Sequence, residues 1–258
     1  MASPPRELET LRYEADGDVA WVTLDRPHVH NAFNDKMQTE LQGLWRQFRH
    51  DDDVHCVVLT GAGDSSFCTG IDRAEAMGHW LDNAPAGGAG AAPPIGGADP
   101  WHVDEPGRRL GPKTNDLWKP VIAAVNGMAC GGAFYMLGEV DFVIAAEHAT
   151  FFDPHVTFGM TACFESMHML QKMPFHEIMR LALLGSSERM SAQRAHEIGL
   201  VSEVVQKERL REAAGSAAHA IASASPAAIQ GTVRALWAAR ELPRRHALDI
   251  GRLIEAVR

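Results

Sequence analysis

The residues best placed to do chemistry lie in the stretch Lys119 to Asp141, KPVIAAVNGMACGGAFYMLGEVD, where Gly127, Gly131 and Gly132 follow the apolar run Val121 to Val125. That run is rich in β-branched residues and is preceded by Pro120, so it reads as a buried strand; Ala133 to Leu137 reads as a helix start. A strand, a side-chain-free turn and a helix start leave backbone N–H groups unused, with the positive end of the helix dipole behind them. Such a turn holds an anion. The anion can be a phosphate, or a carbonyl oxygen on which negative charge develops, where one donor is worth roughly 3 to 4 kcal/mol of transition-state stabilisation. The same glycines would also let a helix pack closely on a sheet with no ligand. A second small-residue turn, Ser66-Phe67-Cys68-Thr69-Gly70-Ile71-Asp72, opens a helical pattern running to about Leu81. Two such turns could aim two N–H donors at one oxygen.

The elements that must hold these turns can be read along the chain. Leu11 to Glu14 and Val19 to Leu24 form a hairpin pattern around Ala15-Asp16-Gly17-Asp18. Met37, Leu41, Leu44, Trp45 and Phe48 recur at helical spacing, which predicts a helix from about Asp35 to Phe48 with one buried face. Strands are predicted at Cys56 to Thr60, Phe142 to Ala146 and Leu200 to Val205, and a polar helix from about Asp104 to Leu117. Residues 151–155 read as a turn, and helices as spanning about 163–172 and 175–184. Ser191 to Gly199 is a Ser-capped, Gly-stopped helix, and Pro226 and Pro243 open or separate C-terminal helices. Residues 84–100, rich in Ala, Gly and Pro, read as a flexible loop, and a lid over the site is open to it. Alternating strands and helices place the chain in the α/β class, with a core over 1–200 and a strand and helical region over 201–258.

Composition narrows the function classes. A chain of 258 residues with 46% hydrophobic and 22% charged content has ample length for a buried core. Its net charge of −9, without a Lys/Arg run, gives no footprint for nucleic acid or an anionic membrane. Cys56, Cys68, Cys130 and Cys163 are widely spaced with no metal-binding pattern, so they read as reduced thiols in a cytoplasmic protein, and no metal is expected. No signal-peptide core or membrane-length apolar run is seen.

At this point several segments carry a resemblance. Arg26-Pro27 with Asn31-Ala32-Phe33, Val57 to Gly61, Phe67 to Asp72, Lys119 to Gly132, and the later Gly185, Ser191-Ala192, Ala195 and Gly199-Leu200-Val201 are collinear over roughly residues 10 to 240. In this order they resemble the crotonase superfamily, the enoyl-CoA hydratase/isomerase family. The resemblance implies an α/β ββα superhelix with a helical C-terminal trimerisation region, a homotrimer or hexamer, an acyl-CoA substrate and no cofactor beyond the CoA of that substrate. It also implies an oxyanion hole made by the N–H groups of Ile71 and Gly132, which would stabilise a thioester enolate. By position, His28, Val29, Asp72, Arg73, Ala74 and Gly131 would lie along the CoA or the substrate.

The sequence departs from the family at the acid and base. Typical hydratases carry one glutamate on the helix after the glycine turn and another in a following Pro-Glu dipeptide; here the positions hold Tyr135 and His155. Tyr135 lies three residues after Gly132, on the same helical face, and suits a hydrogen-bond donor; His155 suits a general base. Glu165 stands where the family usually has a small residue, and Cys163 where some isomerases have a carboxylate. Either Glu165 or Asp153 could orient His155, although helical position alone makes Glu165 a solvent-facing residue. Three activities follow: enolate chemistry on an acyl-CoA, hydrolytic carbon–carbon cleavage of a β-dicarbonyl as in the superfamily's β-diketone-cleaving branch, or binding of acyl-CoA without turnover.

Overall fold

The computed structural model describes residues 8–76 and 105–256. β1 (Leu11–Asp16) and β2 (Val19–Leu24) pair antiparallel, with Asp16 opposite Val19 and Gly17 at positive φ in the tight turn. α1 (Asp35–His50) begins where the Asn34 side chain accepts the Met37 N–H at 2.9 Å. It buries the predicted stripe from Met37 to Phe48. Next come β3 (Cys56–Gly61), β4 (Ser66–Cys68), a single helical turn α2 (Gly107–Leu110), β5 (Val121–Val125) and β6 (Met128–Cys130). α3 (Ala133–Glu139), β7 (Phe142–Ala146), β8 (Thr150–Phe152), α4 (Phe164–Met169) and α5 (Phe175–Leu184) follow. The chain continues through β9 (Met190–Ser191), α6 (Ala192–Glu197) and β10 (Glu203–Val205), then through α7 (Leu210–Ala222), α8 (Pro226–Glu241) and α9 (Arg244–Ala256).

The strands form two sheets, one in the order β1-β2-β3-β5-β7-β10 and one in the order β4-β6-β8-β9. Three successive strand pairs, β3/β4, β5/β6 and β7/β8, each give the first strand to the large sheet and the second to the small one. That is the spiral of ββα turns the resemblance implied. Beyond β1 the large sheet is parallel, and both its faces are buried, which is why its strands are apolar throughout instead of alternating. Val57 and Leu59 face one core with Trp45 and Phe48; Cys56 and Val58 face the other, where Ala214, Ala218 and Ala222 of α7 pack closely on the sheet.

Some predicted boundaries change. β6 separates Gly127 from Gly131, so the helix follows the small-sheet strand and not β5; the short apolar run Met128–Cys130 pairs with both β4 and β8. The polar helix expected over 104–117 is only α2, because Pro112 holds Gly111 in an extended conformation (ψ 129°) and Asp116 has φ 57°. Residues 150–152 are a strand before the turn, and the late strand is confined to 203–205. The loop over 84–100 and the end of the helix begun at Arg73 lie outside the described residues. The four cysteines are free thiols, and no described helix is long and apolar enough to cross a membrane.

Candidate active site

The two glycine turns meet. Gly70 has φ 85°, and a Cβ there would sit 2.8 Å from the Gly132 nitrogen; a Cβ on Gly132 would lie 3.3 Å from the Gly70 Cα and 2.6 Å from the Phe33 ring. Only glycines permit this approach. The Phe33 N–H donates to the Gly70 carbonyl and the Asp72 N–H to the Phe33 carbonyl, both at 2.8 Å. Because successive N–H groups on an extended segment alternate in direction, the Ile71 N–H points away from Phe33. Neither it nor the Gly132 N–H has an acceptor among the described residues. Two unused donors therefore stand on adjoining backbone, one of them at the first turn of α3.

The same turn touches the histidine. Gly131 has φ 53°, and its missing Cβ would lie 3.7 Å from His155 Cε1. Beyond Pro154, the chain from His155 to Phe158 forms a short 3-10 turn that sets the imidazole between two carboxylates. Asp153, fully buried, accepts through Oδ1 from both the His155 N–H (3.0 Å) and Nδ1. Its Oδ2 accepts from Ser166 Oγ at 3.4 Å, tying the histidine turn to α4. On the other side of the ring, Nε2 lies 3.4 Å from Glu165 Oε1. Asp153 therefore orients the ring and Glu165 faces its free end. Glu165 is no solvent-facing residue: it is 8% exposed, because α4 packs against α3 and turns this position inward.

The electrostatics follow from this arrangement. The hydrogen bond that the His155 ring donates to Asp153 raises the His155 pKa above 6.5, aided by the charges of Glu165 and Asp153 and opposed by burial and by Arg73. Tyr135, 2% exposed, has its phenol pKa raised by burial first and then by the adjacent Glu165 carboxylate, so it stays protonated. Its ring meets His168 edge-on with centroids 5.5 Å apart. His155, Tyr135 and Glu165, drawn from three elements, thus share one cluster beside Gly131 and Gly132.

The remaining expected residues lie around it. His28 is exposed and Val29 half-buried in a short 3-10 turn; Asp72 is 3.0 Å from Arg26, and Arg73 stacks over Phe158 at 4.2 Å. Ala74 is exposed. Two participants went unnoticed in the sequence. Ser166 has no signal beyond its position beside Glu165, and Glu105, whose carboxylate lies beside Tyr135 at Gly107, stands next to low-complexity sequence that masks it.

The comparisons with known proteins bear on this geometry. The profile of the enoyl-CoA hydratase/isomerase family matches residues 14–87 and 102–252. The chain belongs to the enoyl-CoA hydratase/isomerase family. Among its relatives within the crotonase superfamily, (E)-benzylidenesuccinyl-CoA hydratase of Thauera aromatica is 33% identical over 245 residues, covering 95% of this chain and 88% of that one. The 1,2-epoxyphenylacetyl-CoA isomerase of Escherichia coli is 35% identical over 218 residues, covering 84% and 77%. A crystal structure of an enoyl-CoA hydratase/isomerase from Mycobacterium paratuberculosis superposes with a TM-score of 0.81 at 35% identity, covering 97% of this chain and 90% of that one. The family contains both hydratases and isomerases, so membership fixes the enzyme class more coarsely than the reaction.

Proposed function

We propose that this family member processes an acyl-CoA thioester through an enolate held by the N–H groups of Ile71 and Gly132, with protons moved by Glu165 and His155. The observation that carries the reading is the meeting of the Gly70 and Gly132 turns, which brings the acceptorless N–H groups of Ile71 and Gly132 onto adjoining backbone, next to Gly131, which borders His155. Glu165 takes the part of the base: it is a buried carboxylate, and the proton retained on His155 sits opposite it. Imidazolium and phenol then serve as proton and hydrogen-bond donors to the developing enolate or to a leaving group. His28, Val29, Asp72, Arg73 and Ala74 border the CoA, and Gly131 the substrate. The chemistry asks for no further cofactor. Assembly into a homotrimer or hexamer is supported by exposed Phe175, Met179 and Leu183, which form a row on α5, and is read out by sedimentation analysis.

The test is exchange of the α-protons of a saturated acyl-CoA in deuterated water, followed by mass spectrometry. Deuterium uptake that requires Glu165 supports the reading, and thioester binding without uptake favours the acyl-CoA-binding alternative. A second reading, hydrolytic carbon–carbon cleavage, is favoured by the buried Asp153–His155 pair, which has the form of a water-activating dyad. Incubation of enoyl-CoA and cyclic β-diketo-CoA compounds in heavy-oxygen water separates the two. Label added across a double bond marks hydration; label in a new carboxylate marks cleavage.

A further inference from the structure

The carboxylates around the candidate site are engaged, and one cation beside them is not. Asp72 and Glu75 both pair with Arg26, at 3.0 and 3.2 Å, and Glu75 also accepts from the Asn34 amide. Asp153 and Glu165 face the two nitrogens of the His155 ring. Arg73, next to Asp72 in the chain, has no carboxylate partner among the described residues.

Its guanidinium is nevertheless held in place. Arg73 follows the Ile71 donor by two residues, and its side chain lies 4.2 Å over the Phe158 ring, at the end of the His155–Phe158 turn. The contact joins the loop that carries one oxyanion donor to the turn that carries the histidine, and the positive charge is near enough to His155 to oppose its protonation. Stacking occupies the face of the guanidinium and leaves its N–H edge free for an anion. Arg73 and Phe158 are both exposed, Phe158 to 52%, so a ligand meets this edge without passing through buried side chains.

Resting on the acyl-CoA reading above, we infer that Arg73 pairs with a carboxylate on the acyl group, so that the preferred substrates are CoA thioesters of dicarboxylic acids. With the thioester carbonyl at the Ile71 and Gly132 N–H groups, the α-carbon must face Glu165 and His155 for its proton to be moved. The acyl chain then runs along the histidine turn, whose far end is the Phe158 ring beneath Arg73. The CoA phosphates are the other anions of such a ligand, and the whole pantetheine arm separates them from the carbonyl. The backbone of Asp72 to Ala74 borders the CoA while this one side chain turns toward the acyl end. A guanidinium fork matches a carboxylate through two parallel hydrogen bonds, which an ammonium does not reproduce.

The test is calorimetric binding at low ionic strength of glutaryl-CoA and adipyl-CoA, each against the thioester of the same length with an uncharged chain, pentanoyl-CoA or hexanoyl-CoA, and of free CoA. The wild-type protein is expected to favour the carboxylate-bearing member of at least one pair by about tenfold or more. Arg73→Met is expected to bring that ratio to within about twofold of one, and Arg73→Lys to keep only part of it. Equal affinity within both pairs in the wild-type protein, or a ratio that survives Arg73→Met, overturns the inference and leaves the acyl-CoA reading standing. A loss of free-CoA affinity in Arg73→Met as large as the loss for glutaryl-CoA assigns the guanidinium to a CoA phosphate and also overturns it. Failure of every thioester to bind overturns both. Should Arg73→Met not fold, Phe158→Leu removes the ring that holds the guanidinium. The ratio is then expected to fall about threefold or more, and an unchanged ratio counts against Arg73 as the partner of the carboxylate.

Discussion

The two halves of the candidate site are built on opposite plans. The donor half is backbone alone: Ile71 and Gly132 contribute N–H groups, and the side chains that matter are the ones missing at Gly70, Gly131 and Gly132. The half proposed to transfer protons is side chain alone, with Asp153 and His155 after β8, Glu165 on α4 and Tyr135 on α3. A backbone site is conserved in shape by the fold itself, so it can serve several reactions. A side-chain site is redrawn by single substitutions. Within one family, the first half therefore determines what intermediate is held and the second what is done with it.

The largest expected effect comes from breaking the backbone half. Gly70→Ala places a methyl group 2.8 Å from the Gly132 nitrogen at a residue whose φ of 85° already disfavours any side chain. Loss of one oxyanion donor costs about 10² to 10³ in turnover, so α-proton exchange should fall by at least that much. A Gly70→Ala protein that exchanges at the wild-type rate would remove these donors from the mechanism. In the side-chain half, Glu165→Gln keeps shape but removes the proposed base, and turnover should fall about 10² to 10⁴-fold with little loss of thioester binding. An equal fall in kcat/KM and in binding would instead mark Glu165 as a structural carboxylate.

This contrast also explains what could be read without coordinates. The donor half was legible because glycines following apolar runs leave a local signature at Gly70, Gly131 and Gly132, and each turn can be read within its own few residues. The α1 stripe and the Asn34 cap were legible for the same reason. His155 and Tyr135 were singled out by position in the family pattern, with Asp153 and Glu165 as alternative partners that the sequence could not separate. Whether Asp153 or Glu165 orients the ring depends on how α4 packs on α3, a contact between segments some thirty residues apart that no spacing encodes. Helical position made Glu165 look exposed, and tertiary packing buried it. Short strands such as β6 failed for a related reason: three residues have too little periodicity, and their pairing partners β4 and β8 lie far off in sequence.

A smaller, pH-dependent effect separates Asp153 from Glu165. The pKa of His155 is raised in the folded protein, so its proton contributes stability fully below the unfolded pKa, and that contribution is lost as pH rises through the folded value. Turnover that needs the imidazolium should decline on the alkaline side, above pH 6.5. Asp153→Asn removes the largest upward influence, so the alkaline limb of the pH–rate profile should move to lower pH, and the stability lost on raising pH should be lost earlier. A profile that stays in place would assign the limb to another group.

The smallest expected effect is at Tyr135. Its phenol contributes at most one neutral hydrogen bond, worth about 0.5 to 1.5 kcal/mol, so Tyr135→Phe should lower turnover by about tenfold or less. The ring remains, and with it the edge-on packing against His168. The substitution therefore isolates the hydroxyl. Because Glu165 is the strongest charged neighbour holding that phenol protonated, the Tyr135→Phe and Glu165→Gln effects should not add: in the double variant, removing the hydroxyl should cost measurably less than in the wild-type background. Full additivity would mean that Tyr135 acts on the substrate independently of Glu165. It would then belong functionally with the backbone donors beside it on α3 rather than with the proton-transfer half.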